Sequence, residues 1–144
     1  MIDHESGIPL YLQVADALRK RITTGEIAAG AELLSESEIA AVCGVSREVV
    51  RKGLTVLRSE GLIVSVRGRR SAVRRELPVE QVSVVGPARV TARMPTPVER
   101  DRFGMVEGVP LLLVRAGGGE MLYPADRVEV CMLSHGAETR GGPR

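Results

Sequence analysis

The sequence predicts an α+β fold: a three-helix N-terminal half closed by a two-stranded hairpin, then a small β-rich C-terminal domain. Three observations lead there. Residues 33–73 read as two short helices joined by Gly44-Val45-Ser46, then two β-type runs on either side of Arg67-Gly68-Arg69-Arg70. Apolar residues recur at helical spacing up to residue 60 and in short strand-like runs after it. Charge is also segregated: residues 39–75 carry nine bases against two acids, while residues 1–38 carry three against seven and residues 76–144 eight against nine. Helix, tight turn, helix and basic hairpin make up a winged helix-turn-helix, with a wing of two strands.

The first helix is expected from Pro9 to Thr24. Pro9 suits a first helical turn, where a missing N–H costs nothing. Tyr11, Val14, Ala15, Leu18 and Ile22 form one apolar face, and Gly25 supplies the stop. Ile27 to Gly30 is a short connection. The second helix opens at Ser35, where Ser35-x-x-Glu38 is a capping box, and its apolar side is expected at Ile39, Val42 and Cys43. Gly44 ends it, Val45 plugs the turn, and Ser46 caps a third helix running to about Glu60. Val50, Leu54 and Leu57 make the core stripe of that helix. Gly53 lies on the same side and weakens the helix by about 1 kcal/mol relative to Ala; close approach of the second helix would account for it. Leu62–Val66 and Ser71–Val73 are the strands of the wing.

After Leu77-Pro78 the pattern turns to strands: 82–85, 88–94, 110–116 and a longer one over 120–132 interrupted at Pro124. Thr96 and Pro97 open a short helix over 98–103, and Gly117-Gly118-Gly119 is a turn. The organisation expected is a first domain over 1–76, a β-rich dimerisation or shortened effector domain over 77–134, and a flexible tail over 135–144.

Composition excludes several classes. Cys43 and Cys131 are isolated, and His4 and His135 lie near neither, so no metal cluster or disulfide framework is expected; two lone thiols fit a reducing cytoplasm. No run approaches the ~18 apolar residues of a membrane span, and the acidic N-terminus does not resemble a signal peptide. No nucleophile has a plausible base beside it, and the triple glycine lacks the Lys and Ser/Thr of a phosphate loop. Neither an enzyme nor a cofactor is expected.

A basic segment inside a nearly neutral chain is the footprint of a polyanion binder. On the third helix the core stripe leaves Arg47, Arg51 and Arg58 on one flank, Glu48, Lys52 and Thr55 opposite the core, and Val49 on the other flank. Arg47 or Arg51 could fork onto guanine O6 and N7, Glu48 could accept from cytosine N4, and Val49 could touch a thymine methyl. Equally, Glu48 and Lys52 form an ordinary i, i+4 surface pair, and Val49 could extend the core. The helix starts at Ser35 and Ser46 can each hold a phosphate. Arg67, Gly68, Arg69 and Arg70 would lie on the backbone or in the minor groove, and Ser37 and Lys52 complete the expected DNA-binding set. The alternative is a winged helix that meets protein instead of nucleic acid.

Residues 9–73 resemble the GntR family of bacterial transcription regulators. The likeness rests on Pro9-Leu10-Tyr11, Gly25-Glu26-Ile27, Ser35-Glu36-x-Glu38-Ile39-Ala40, Gly44-Val45-Ser46-Arg47, Val50-Arg51, Leu57-x-x-Glu60-Gly61-Leu62-Ile63 and the wing Arg67-Gly68-Arg69. The resemblance implies a dimeric regulator, typically a repressor, on a palindromic double-stranded DNA operator, with a small-molecule effector in the C-terminal domain. It puts DNA contacts on Ser35, Ser46, Arg47, Glu48, Val49, Arg51, Arg67, Gly68 and Arg69. Four departures stand out. Leu34 replaces a Pro, Ser37 a DNA-contacting Arg, Glu48-Val49 a pair of threonines, and Arg70 the second wing glycine. Residues 88–126 are similar to a shortened effector domain of the UTRA type.

Overall fold

In a computed structural model of the chain, residues 2–65 and 68–133 are described. The expected wing residue Arg67 and the expected tail, 135–144, lie outside them. The chain divides into two compact units, Met1–Glu76 with Val106–Gly108, and Leu77–Met105 with Val109–Arg144.

In the first unit, α1 (Leu10–Thr23), α2 (Glu36–Cys43) and α3 (Arg47–Ser59) precede a hairpin of β1 (Ile63–Val64) and β2 (Ala72–Val73). Pro9 is the cap of α1 rather than its first helical residue: its ψ of 131° is extended, and its carbonyl accepts from Leu12 and Gln13 N–H. Val14, Ala15 and Leu18 are buried, as their spacing requires. Helix α2 keeps its reciprocal box. The Ser35 hydroxyl accepts from Glu38 N–H, and the Glu38 carboxylate accepts from Ser35 N–H at 2.8 Å. Gly44 ends the helix at a φ of 66°, a left-handed conformation that suits a residue without Cβ.

Two expectations fail here. Val42 does not face the core; it is 74% exposed, and Ile39 and Ala40 are the buried residues, with Cys43 packed against them. An eight-residue helix has one narrow seam, and Val42 projects well to the side of the one that Ile39, Ala40 and Cys43 define. Gly53 is buried against α1, not α2. A Cβ there would stand 2.9 Å from the Tyr11 carbonyl oxygen and 3.3 Å from Val14 Cγ1. Val50, Leu54 and Leu57 fill the core above it. Arg19 ties α1 to the end of α3 through a two-bond contact with Glu60, at 2.9 and 2.6 Å.

The wing is shorter than its sequence runs suggest and gains an unexpected neighbour. β1 and β2 pair antiparallel over two residues each, Ile63 with Val73 and Val64 with Ala72. Glu32 bridges to Ala72 on the other side, with Leu33 N–H donating to the Ser71 carbonyl at 2.8 Å. The entry to α2 and the base of the wing are therefore stitched by backbone hydrogen bonds.

The second unit contains β3 (Glu80–Val85), β4 (Ala88–Arg93), α4 (Pro97–Phe103), β5 (Leu111–Ala116), β6 (Gly119–Pro124) and β7 (Val128–Leu133). β4, β5 and β6 form an antiparallel sheet in that order, while β3 pairs in parallel with β7, Glu80 opposite Val128 through Val85 opposite Leu133. The long strand expected over 120–132 is thus two strands in different sheets. Pro124 closes the first, and a turn through Ala125–Arg127, held by Arg127 N–H on the Pro124 carbonyl, redirects the chain. Helix α4 matches its signals: Thr96 and Glu99 form a capping box, Pro97 opens the helix, and Gly104 ends it at a φ of 57°. The Arg127 guanidinium donates to the carbonyls of Phe103 and Gly104, two acceptors left over at that helix end.

Candidate nucleic-acid interface

The site grows from α3. Burial of Val50, Gly53, Leu54 and Leu57 points that face inward and leaves Arg47, Glu48, Arg51, Lys52 and Thr55 exposed. Val49 is half-buried and packs against the core. Ser46 caps the helix by accepting from Val49 N–H at 3.4 Å, a long bond beside the reciprocal box at Ser35.

Between α2, α3 and the wing lies a cleft of ≈ 660 Å³. Six expected residues line it: Ser35, Ser37, Arg47, Gly68, Arg69 and Arg70. Ser46, Glu48, Val49, Arg51 and Lys52 are not among its lining. Lys52 and Glu48 pair with each other at 3.2 Å, at the helical spacing that makes such pairs ordinary surface features.

Two residues of the site were given no contact role by the sequence. Arg58 lines the cleft, with Nη1 donating to Thr55 Oγ1 at 3.3 Å and a buried Nε that has no hydrogen-bond partner. Its flank beside Arg47 and Arg51 was legible; its place in the cleft was not. The second is Glu36, the first residue of α2. Its carboxylate accepts from Arg51 Nη2 at 3.1 Å and Nε at 3.5 Å and stands 4.0 Å from Arg47 Nη2. This contact raises the Arg51 guanidinium above its usual range. Glu38 pairs with Arg70 at 3.0 Å, and its carboxyl is held below the usual range, first by the Ser35 hydroxyl. No spacing rule links Glu36 to Arg51, because the pairing arises only when α2 docks on α3.

The arrangement can do two things chemically. It offers exposed guanidinium forks on a rigid helix, suited to planar acceptors, and a basic edge at the wing, suited to phosphate oxygens. Among the described residues no group of three or more His, Cys, Asp or Glu could hold a metal ion, and no helix is long and apolar enough to cross a membrane. This fold and site define a winged helix-turn-helix protein.

Comparison with known proteins agrees. Residues 10–73 match the model of the bacterial regulatory proteins of the gntR family. YtrA from Sulfolobus acidocaldarius, a GntR-family transcription factor, is similar at 40% identity and a TM-score of 0.50, over 54% of this chain and 81% of its own. The HTH-type transcriptional repressor NagR of Bacillus subtilis is 40% identical over 68 residues, 47% of this chain and 28% of NagR. An uncharacterised HTH-type transcriptional regulator of Rhizobium meliloti, RB1450, is 34% identical over 76 residues, 53% of this chain and 31% of RB1450. The chain belongs to the GntR family. It matches about three-tenths of the length of these two curated relatives, which places the likeness in the winged helix-turn-helix.

Proposed function

We propose that this chain is a sequence-specific DNA-binding transcription regulator, acting in the cytoplasm as a dimeric repressor on a palindromic operator rather than as an enzyme. Helix α3 enters the major groove, and the wing, residues 67–70, follows the backbone or minor groove. The observation that carries this reading is the cleft where Arg47, Arg69 and Arg70 converge beside the capped start of α2. Family membership and the relatives named as transcription regulators support it. Ser35 and Ser46 present helix N-termini to phosphates, and Arg47 and Arg51 present forks to base edges.

For the second unit we infer self-association. In an antiparallel pair, residues directly opposite share a face of the sheet. The register therefore puts Ala88, Val90, Ala92, Leu112, Val114, Ala116, Gly119, Met121 and Tyr123 together, with no charge among them. Val90 and Met121 are 40% and 42% exposed on that face. The opposite face carries the charged Arg89, Arg93, Arg115 and Glu120 beside the buried Leu111, Leu113 and Pro124. An uncharged face can meet a second copy of itself about a two-fold axis, which is what a palindromic site demands. A small-molecule effector has less to recommend it. The opening of ≈ 380 Å³ at Pro87 and 115–120 is shallow, and Arg115 there is already paired with Glu120.

Selection of bound duplexes from a random-sequence pool tests the function. The expected product is a pair of inverted half-sites, bound by the full chain with an affinity that falls steeply as salt rises. Failure to enrich any sequence, together with binding that ignores salt, overturns it in favour of a protein-contacting module.

A further inference from the structure

The reading head carries its own counterions. Arg51 and Arg47 share the Glu36 carboxylate, Arg70 has Glu38, and Lys52 has Glu48. Glu36 differs from the other two acids. Glu48 pairs along its own helix, and Glu38 is already engaged in the cap of α2. Glu36 has no role in that cap, and it reaches from one helix to the outward flank of the next. Its side chain is 28% exposed, while those of Arg51 and Arg47 are 60% and 64% exposed. The anchored end of the bridge is the acid, and the free ends are the guanidinium groups.

We propose that Glu36 is a positioning residue for sequence readout, holding Arg51 and Arg47 as one oriented fork and discouraging their collapse onto any nearby phosphate. This rests on the DNA-binding reading above. The physical basis has two parts. A long arginine side chain loses rotamer entropy when it docks, so one already held by a carboxylate meets a base edge at lower cost. The same carboxylate repels phosphates and must be displaced before the arginines can neutralise them, which lowers sequence-independent affinity. Glu36 therefore raises the ratio of specific to non-specific binding from both sides.

Three variants of the full chain test this against the duplex recovered by selection and a scrambled duplex of the same length. Glu36→Gln keeps the shape and removes the charge. It should bind the scrambled duplex more tightly, steepen the salt dependence of log K by about 1, and lower the selected-to-scrambled ratio by about tenfold. Glu36→Asp keeps the charge and withdraws it by one methylene; the salt slope should stay while the ratio falls. In Arg51→Ala, adding Glu36→Gln should change the ratio much less than it does in the parent, because both act through one fork. Circular dichroism melts confirm that each variant is folded. A ratio unchanged within twofold in Glu36→Gln overturns the proposal, as do losses that multiply in the double variant. Absence of any preference in the unaltered chain instead overturns the DNA-binding reading itself.

Discussion

Replacing Gly53 with alanine sets two known effects against each other, and the structure decides between them. Gly is about 1 kcal/mol worse than Ala inside a helix, so propensity alone makes Gly53→Ala stabilising. The added Cβ, however, would stand 2.9 Å from the Tyr11 carbonyl oxygen, 3.3 Å from Val14 Cγ1 and 3.4 Å from Ala15 N. Two of the three are backbone atoms of α1, which cannot rotate away as a side-chain tip can. Forcing a methyl into a packed contact costs about 1–3 kcal/mol, and contact with main chain belongs in the upper half of that range. The net expectation is a destabilisation of about 1–2 kcal/mol, after the propensity gain is subtracted. At about 4–8 °C per kcal/mol for a unit of this size, the melting temperature of the helical signal falls by roughly 5–15 °C. Thermal unfolding of the full chain followed at 222 nm measures it. A rise in melting temperature would refute the close α1–α3 approach.

Further expectations concern the caps, acid stability and self-association. Ser35→Ala should cost about 1 kcal/mol and Ser46→Ala clearly less, because Ser35 sits in a reciprocal box and Ser46 makes one bond at 3.4 Å; urea melts rank the two, and a reversed order contradicts the geometry. Glu99 accepts from the Arg93 guanidinium at 2.7 and 2.6 Å, which pushes its carboxyl down to about 2 from 4.5. A group depressed on folding stabilises above its unfolded value and loses that contribution as pH falls through the folded one. The stability of the second unit should therefore decline between about pH 4.5 and 2, and Glu99→Gln should flatten that decline in denaturant melts at pH 5, 3.5 and 2.5; an unaltered slope rejects the assignment. Val90→Glu places a charge on the uncharged sheet face at an exposed position, so the chain should stay folded and sediment as a monomer; a dimer unaffected by it removes that face as the interface.

The parts of this molecule legible in its sequence are the local ones. The capping box at Ser35–Glu38 and the Thr96-Pro97 start of α4 follow from local residue types, and the buried stripe of α3 follows from helical spacing alone. The expected cleft residues Arg47, Arg69 and Arg70 follow from what that stripe leaves exposed and from the composition of the hairpin tip. The misread parts depend on neighbours distant in the chain. Gly53 signals close approach but not which helix approaches. Val42 has the chemistry of a core residue, and only the docking of α2 turns it outward. The pairing of Glu36 with Arg51 joins residues on different helices, and the division of 120–132 into two strands follows from the remote partner of β7.

That partner has a consequence for how the chain is made. β3 is synthesised well before β7, the strand it pairs with, and at about 5–20 residues per second the wait is on the order of seconds. The first unit finds almost all of its partners within residues 1–76 and can close during that interval. β3 cannot, and its Val85 is apolar and exposed even after pairing, as is Val79 just before it. A nascent chain, or a fragment ending before residue 128, thus presents a finished first unit followed by an unpaired strand. Such a fragment should be limited by aggregation through its open edge rather than by loss of the proposed DNA-facing surface.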